Sequence, residues 1–279
     1  LEITDYENFF SFCENVGFEE EYITYATYKR YMQKYKANHL EETESIIEKQ
    51  RLIKDEQEIE YLERACELTD NCFSHLLNFI KIGMTEKQIA LEIERYFKTN
   101  GADGVSFAPI VAIGENSSVP HWVPGDRKVE MADPILIDMG CKYDGYCSDM
   151  TRTIFVGKPS AQIKNIYEIV LKAQMNTLEN MKPGMTGKQL DALAREIITA
   201  NGFGEYFQHS TGHSLGLDIH ESPNLSAMCE TEFKHNMLGT VEPGIYVSGL
   251  GGVRIEDLVV FTQDGVKNLT MSSKELIII

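Results

Sequence analysis

The sequence predicts an α+β domain built from two similar halves related by a pseudo-twofold axis, with sheets inside and helices outside. Three observations carry this. The segment KIGMTEKQIALEIERYFKTNG (Lys81–Gly101) recurs as KPGMTGKQLDALAREIITANG (Lys182–Gly202), at an offset of 101 residues. Each copy is preceded by a helical apolar stripe. Each is followed by two strand-like runs around a turn. Two copies make a duplicated unit rather than a solenoid, which needs about three or more.

In chain order, residues Leu1–Gln50 fall outside the repeat. They are acidic, aromatic and partly helical, and read as the tail of a preceding domain plus a linker running through ANHLEETESIIEKQRLIKDEQEIE. Leu1 in place of an initiator Met reads as an internal start. LEITDYENFF carries acids where a secretory leader carries Lys or Arg, so no signal peptide is expected. The first repeat helix shows Ile59, Leu62, Cys66, Thr69, Phe73, Leu76, Leu77 and Ile80 on one face. Thr85 then stands as the N-cap of the next helix. DPILIDMG (Asp133–Gly140), a turn at Tyr143-Asp144-Gly145 and Tyr146–Val156 read as a hairpin. The second half repeats the order. Ser160, Ile163, Tyr167, Val170, Gln174, Thr177, Leu178 and Met181 form its first helix face, and Thr186 caps the next helix. Leu238–Val247, a glycine-rich loop Gly249–Gly252 and Val253–Phe261 form its hairpin.

Apolar residues make up 43% of the 279 and charged residues 25%, the profile of a soluble globular protein. The net charge of −17 argues against nucleic acid or an anionic membrane as the main partner, since both need a basic face. No apolar run is long enough to span a bilayer. The cysteines Cys13, Cys66, Cys72, Cys141, Cys147 and Cys229 include no CxxC pair and read as reduced thiols of a cytoplasmic protein.

Four acids occupy matched places in the two hairpins. With a four-residue loop Lys142–Gly145, Asp138 lies opposite Asp149, and their side chains share a face. With a loop centred on Gly249, Glu242 lies opposite Glu256. From Asp138 to Glu242 is 104 residues and from Asp149 to Glu256 is 107, close to the helix offset; His121 to His220 is 99. Taken singly, each acid reads as a surface residue, Asp149 as a turn cap and Glu242 as a loop residue before Pro243. Taken together, four inward carboxylates repel one another unless cations neutralise them. Four carboxylates and a histidine suit two divalent metals, and an oxygen-rich, thiolate-free set favours Mn²⁺, with Co²⁺ and Zn²⁺ as the other candidates.

These residues lie in a series of motifs: PHWVP (Pro120–Pro124), LIDMGCKYDGYCSDMTRT (Leu136–Thr153), HSTGHSLGLDIHE (His209–Glu221), TVEPGIY (Thr240–Tyr246) and GGVRIED (Gly251–Asp257). Their joint order resembles the pita-bread (creatinase/aminopeptidase) fold metallopeptidases, in the branch of Xaa-Pro dipeptidase (prolidase) and Xaa-Pro aminopeptidase. The likeness covers about residues 51–279, which would be the catalytic domain. Residues 1–50 would be the remnant of a creatinase-type N-terminal domain. The resemblance implies a homodimer and a dinuclear metal site held by Asp138, Asp149, His213, Glu242 and Glu256. It implies that His121 and His220 line the substrate site and assist proton transfer and carbonyl binding, with Glu242 accepting a proton, and that His209 and Arg254 support the substrate. Gly212 and Gly216 around His213 exclude a helical zinc motif. For His209, a structural hydrogen-bonding role stands beside the substrate-binding one. Tyr146 and Trp122 are candidates for substrate contact or for packing. His39, His75 and His235 belong to no motif. Leu238-Gly239 and Ser214 depart from the family's usual residues without touching a ligand position.

The implied reaction is metal-dependent hydrolysis of the Xaa-Pro bond in a dipeptide or short peptide, by a dipeptidase first and an aminopeptidase P second. Methionine aminopeptidase fits GGVRIED and the extra N-terminal segment less well. A metal-free binding homologue is the reading from another class.

Overall fold

The computed structural model describes residues 14–34 and 39–279. The opening LEITDYENFF and Cys13 lie outside them. The described residues separate into two units between Arg51 and Leu52. In the first, the parallel strands β1 (Asn15–Glu19) and β2 (His39–Thr43) flank helix α1 (Tyr25–Lys34), and helix α2 (Ile46–Arg51) follows.

The second unit carries the duplication. Helix α3 (Glu56–Phe79) starts at a capping box between Asp55 and Glu58. Helix α4 (Glu86–Thr99) starts at a second box, between Thr85 and Gln88. The strands β3 (Gly104–Val105), β4 (Ile110–Ile113), β5 (Pro134–Met139), β6 (Cys141–Tyr143), β7 (Tyr146–Cys147) and β8 (Met150–Phe155) complete the first half. The second half has helices α5 (Ala161–Asn180) and α6 (Gly187–Ala200), then β9 (Gly212–Ser214), β10 (Glu221–Leu225), β11 (Leu238–Val241), β12 (Gly244–Val247), β13 (Gly251–Arg254), β14 (Asp257–Phe261) and β15 (Val266–Asn268).

The repeat extends to individual hydrogen bonds. Thr186 caps α6 with Gln189 as Thr85 caps α4 with Gln88. The Gly83 and Gly184 N–H groups donate to Val129 and Phe233, and isolated bridges join Thr85 to Lys128 and Thr186 to Glu232. Gly83 and Gly184 both have positive φ, at 86° and 89°, which the turn into each helix needs and glycine adopts without strain.

The sheets lie under the helices. Ile135, Ile137 and Met139 point from β5 into a core with Phe73 and Leu76 of α3 and Ile93 and Phe97 of α4. Strand alternation sends Leu136 and Asp138 to the opposite face. In the other half, Ile163, Tyr167 and Val170 of α5 pack with Ala194 and Ile198 of α6 against Ile245 and Val253.

The first hairpin differs from expectation. Asp138 pairs with Thr151, not Asp149, because Tyr143 pairs with Tyr146 and the turn is the two residues Asp144-Gly145. Their φ values of 46° and 82° are those of a type I′ turn, for which Asp-Gly is a preferred pair. The shift is two residues, so parity is kept. Asp138 and Asp149 remain on one face as diagonal neighbours. The second hairpin has the expected register: Val241 pairs with Asp257 and Gly244 with Arg254, which sets Glu242 opposite Glu256. Its loop is shorter than expected, since Val247 already pairs with Gly251. Its strands break at Glu242-Pro243 and Ile255-Glu256, where Pro243 has no N–H for the ladder. The strands β4, β9 and β10 were not expected from the sequence.

Candidate metal and substrate site

The nine residues to which the resemblance gives a metal or substrate role all line one cavity of about 490 Å³ between the two halves of the second unit; Trp122 and Tyr146 do not. Asp138 comes from β5, Asp149 from just before β8, His213 from the middle of β9, Glu242 from just after β11 and Glu256 from the junction of β13 and β14. Asp138, Asp149 and Glu256 are buried, whereas His121 and His220 are exposed at the rim.

Asp149, His213 and Glu256 each offer a ligand atom within 4.8 Å of the others. The His213 Nδ1–H donates to the Ser214 carbonyl at 2.9 Å, which leaves Nε2 as a lone pair. That lone pair faces Asp149 Oδ2 at 3.5 Å and Glu242 Oε1 at 3.6 Å. Burial holds the His213 pKa down at about 4, so the ring is neutral at pH 7. Burial and the neighbouring carboxylates push Asp149 and Glu256 well above the usual carboxylate range. Burial, with Asp138 adding to it, pushes Glu242 up to about 8. Asp138 Oδ1 is buried with no hydrogen-bond partner. Three acids driven toward neutrality, an aimed lone pair and an orphaned carboxylate oxygen fit a cation-binding site. The donors are oxygen-rich, contain no thiolate and suit a hard divalent cation.

A further set of residues holds the donors, and sequence reasoning did not single it out. Thr151 donates its hydroxyl to Glu256 at 2.7 Å and accepts from Arg254 Nε at 2.9 Å. Thr240 accepts from the His213 N–H at 3.0 Å and donates to Glu242. Tyr246 joins Arg254 Nη1 to His209 Nε2, each at 2.8 Å. The signal was present: Thr151 lies inside the quoted TRT, and Thr240 and Tyr246 lie at the ends of TVEPGIY. Behind Asp149, the Ser148 hydroxyl is 2.7 Å from Thr69 of α3 and bonds both backbone groups of Cys141.

His209 and Arg254 face the framework. His209 donates from Nδ1 to the Ser210 carbonyl and accepts at Nε2 from Tyr246, and burial lowers its pKa to about 4. Arg254 Nη2 donates to Asp138 Oδ2 at 2.7 Å. His220 packs edge-on against His213, with ring centroids 4.5 Å apart. The Trp122 indole donates to Glu86, and the Tyr146 hydroxyl to Glu58, away from the cavity. His75 bonds Glu92 on the helical side. The two departures from the family's usual residues are neighbours: the Ser214 hydroxyl donates to the Leu238 carbonyl at 2.6 Å, and Gly239 leaves room for Leu225.

A two-fold-repeated α+β unit that converges acids and histidines on one cleft is the architecture of a pita-bread metallopeptidase. Residues 60–263 match metallopeptidase family M24, and the chain belongs to that family. The chain is 43% identical to an Xaa-Pro dipeptidase of Pyrococcus furiosus over 95% of its own length and 76% of the relative's. Among solved structures, an Xaa-Pro dipeptidase from Bacillus anthracis superposes with a TM-score of 0.94 at 45% identity, covering 95% of this chain and 74% of that one. An X-Pro aminopeptidase from Thermotoga maritima gives 0.91 at 38% identity, covering 95% and 75%. No helix among the described residues is long and apolar enough to cross a membrane.

Proposed function

We propose that this protein hydrolyses Xaa-Pro bonds in dipeptides, with Asp138, Asp149, His213, Glu242 and Glu256 holding two divalent cations, Mn²⁺ first among them. The observation that carries the reading is the convergence of these five side chains on one cavity, with three carboxylates raised by burial and by neighbouring carboxylates, Asp138 among them. When bound, such cations supply Lewis acidity and lower the pKa of water. Glu242, at the edge of the cluster, accepts a proton as the scissile carbonyl is attacked. His121 and His220, exposed on the rim, stabilise the developing oxyanion or deliver a proton to the prolyl nitrogen. Arg254, Tyr246 and His209 form a relay that fixes Asp138 and the cavity wall. Residues 1–50 are read as belonging to an N-terminal creatinase-type domain rather than to the catalytic one. The native state is read as a cytoplasmic homodimer; the five described cysteines are free, as a reducing compartment requires.

Aminopeptidase P is the second reading, supported by the likeness to the Thermotoga maritima structure. Protein stripped of metal and resupplied with Mn²⁺ separates the two. Metal-dependent cleavage of Ala-Pro, with Ala-Ala untouched, is the expected result. Preference for Ala-Pro-Ala moves the assignment to the aminopeptidase, and cleavage of neither refutes both.

A further inference from the structure

His121 makes no side-chain hydrogen bond among the described residues and is exposed, so its placement is set by the loop that carries it. That loop leaves β4 at Ile113 and runs past Gly125. Both arms converge on one carboxylate outside the cavity, Glu86, the fully buried first residue of α4. Oε1 accepts from the Ile113 N–H at 2.9 Å and Asn116 Nδ2 at 2.8 Å. Oε2 accepts from the Trp122 indole at 2.8 Å and the Gly125 N–H at 2.7 Å. All four donors are neutral, and Glu86 has no ion-pair partner among the described residues. The N-terminal end of a helix stabilises such a charge. The Trp122 ring packs on the apolar cluster of Ala112, Leu136 and Tyr246, so the indole next to His121 is held at its nitrogen by Glu86 and on its ring by that cluster.

We infer that Glu86 is a positioning residue for His121, acting through Trp122 and the two arms of the Ile113–Gly125 loop. This rests on the proposed substrate-site role of His121. A carboxylate is needed because two acceptor oxygens meet four donors. In Glu86→Gln one oxygen becomes an NH₂ group that confronts two donors, and the arm on that side is released.

The test uses Glu86→Gln and the milder Asn116→Ala, which removes one donor and keeps the carboxylate. Each is made alone and with His121→Ala. Trp122 is the single tryptophan of the chain, so its emission reports the loop without interference. Glu86→Gln is expected to shift that emission to the red and to lower kcat for Ala-Pro by about tenfold or more, with the bound Mn²⁺ count unchanged. Asn116→Ala should do the same to a smaller degree. With His121 already replaced, either substitution should lower kcat by less than about twofold, because the coupling runs through that side chain. An equal loss with and without His121, or an unshifted Trp122 emission, overturns the inference. If the wild type cleaves no Xaa-Pro substrate, the functional reading fails, while the emission arm still decides whether Glu86 holds the loop.

Discussion

Arg152 is 1% exposed, lies outside the cavity and joins the two halves behind it. Nη2 pairs with Asp257 Oδ1 at 2.7 Å and donates to the Ser272 carbonyl at 2.7 Å. Nε donates to the Ser273 carbonyl, and Nη1 to the carbonyls of Thr151 and Glu256. Arg152→Met keeps an unbranched apolar stem and removes every donor. Breaking a buried ion pair from one side costs about 3–5 kcal/mol. Two features place this case within that range rather than above it. Asp257 keeps Lys274, Gln174 and Asn268 as partners, and the Ser273 carbonyl is close to water. The Glu256 carbonyl is buried and loses its arginine, which adds about 1–3 kcal/mol. A net loss of about 4 kcal/mol follows, a large part of the roughly 5–15 kcal/mol that holds a domain folded. Urea unfolding in a chelator measures it, since bound metal would raise the apparent stability. Arg152→Lys should recover little, because one ammonium cannot replace a fork that reaches five acceptors. A loss under about 1 kcal/mol for Arg152→Met would refute the reasoning about buried pairs.

Gly140→Ala places a Cβ 1.9 Å from the Ser148 carbonyl oxygen, so the backbone next to Asp149 must move. The expected result is a loss of about 1–3 kcal/mol in urea unfolding together with weaker Mn²⁺ binding by titration. The metal-free protein should also lose stability as pH rises. The folded pKa of Glu242, at about 8, stands above its unfolded value of about 4.5, so the folded state binds the extra proton between them. That contribution is complete below about pH 4.5 and is lost as pH climbs through about 8. Asp149 and Glu256, also raised, act in the same direction. The gap in Tm between Mn²⁺-loaded and stripped protein should therefore widen from pH 5 to pH 8, and a gap that narrows would contradict the raised carboxylates.

Much of the site was legible because duplication writes the same chemistry twice. The Lys81–Gly101 repeat and the spacing of Asp138, Asp149, Glu242 and Glu256 made the shared face visible before any register was known. The first hairpin departs from the expected register because Asp144-Gly145 alone makes its turn in place of four residues. The shift left the faces intact because strand parity has a period of two. The supporting residues were harder to see. Thr151 and Thr240 stand inside the motifs, but their partners lie far along the chain, so the motifs mark the threonines without showing that they hold Glu256 and His213; Glu86 lies in no motif, and its bond to the Ile113 N–H is visible only in the fold. Strands β9 and β10 are short and rich in Gly, Ser and polar residues, so no alternation marks them.

The central claim is that the acid cluster is a site for two cations. Titrating metal-free protein with Mn²⁺, followed by calorimetry, tests it most directly, with Asp149→Asn and Glu256→Gln titrated alongside. Two Mn²⁺ per chain in the wild type, with weakened binding in both variants, is the predicted result. No binding in the wild type, or full binding in both variants, would contradict the account.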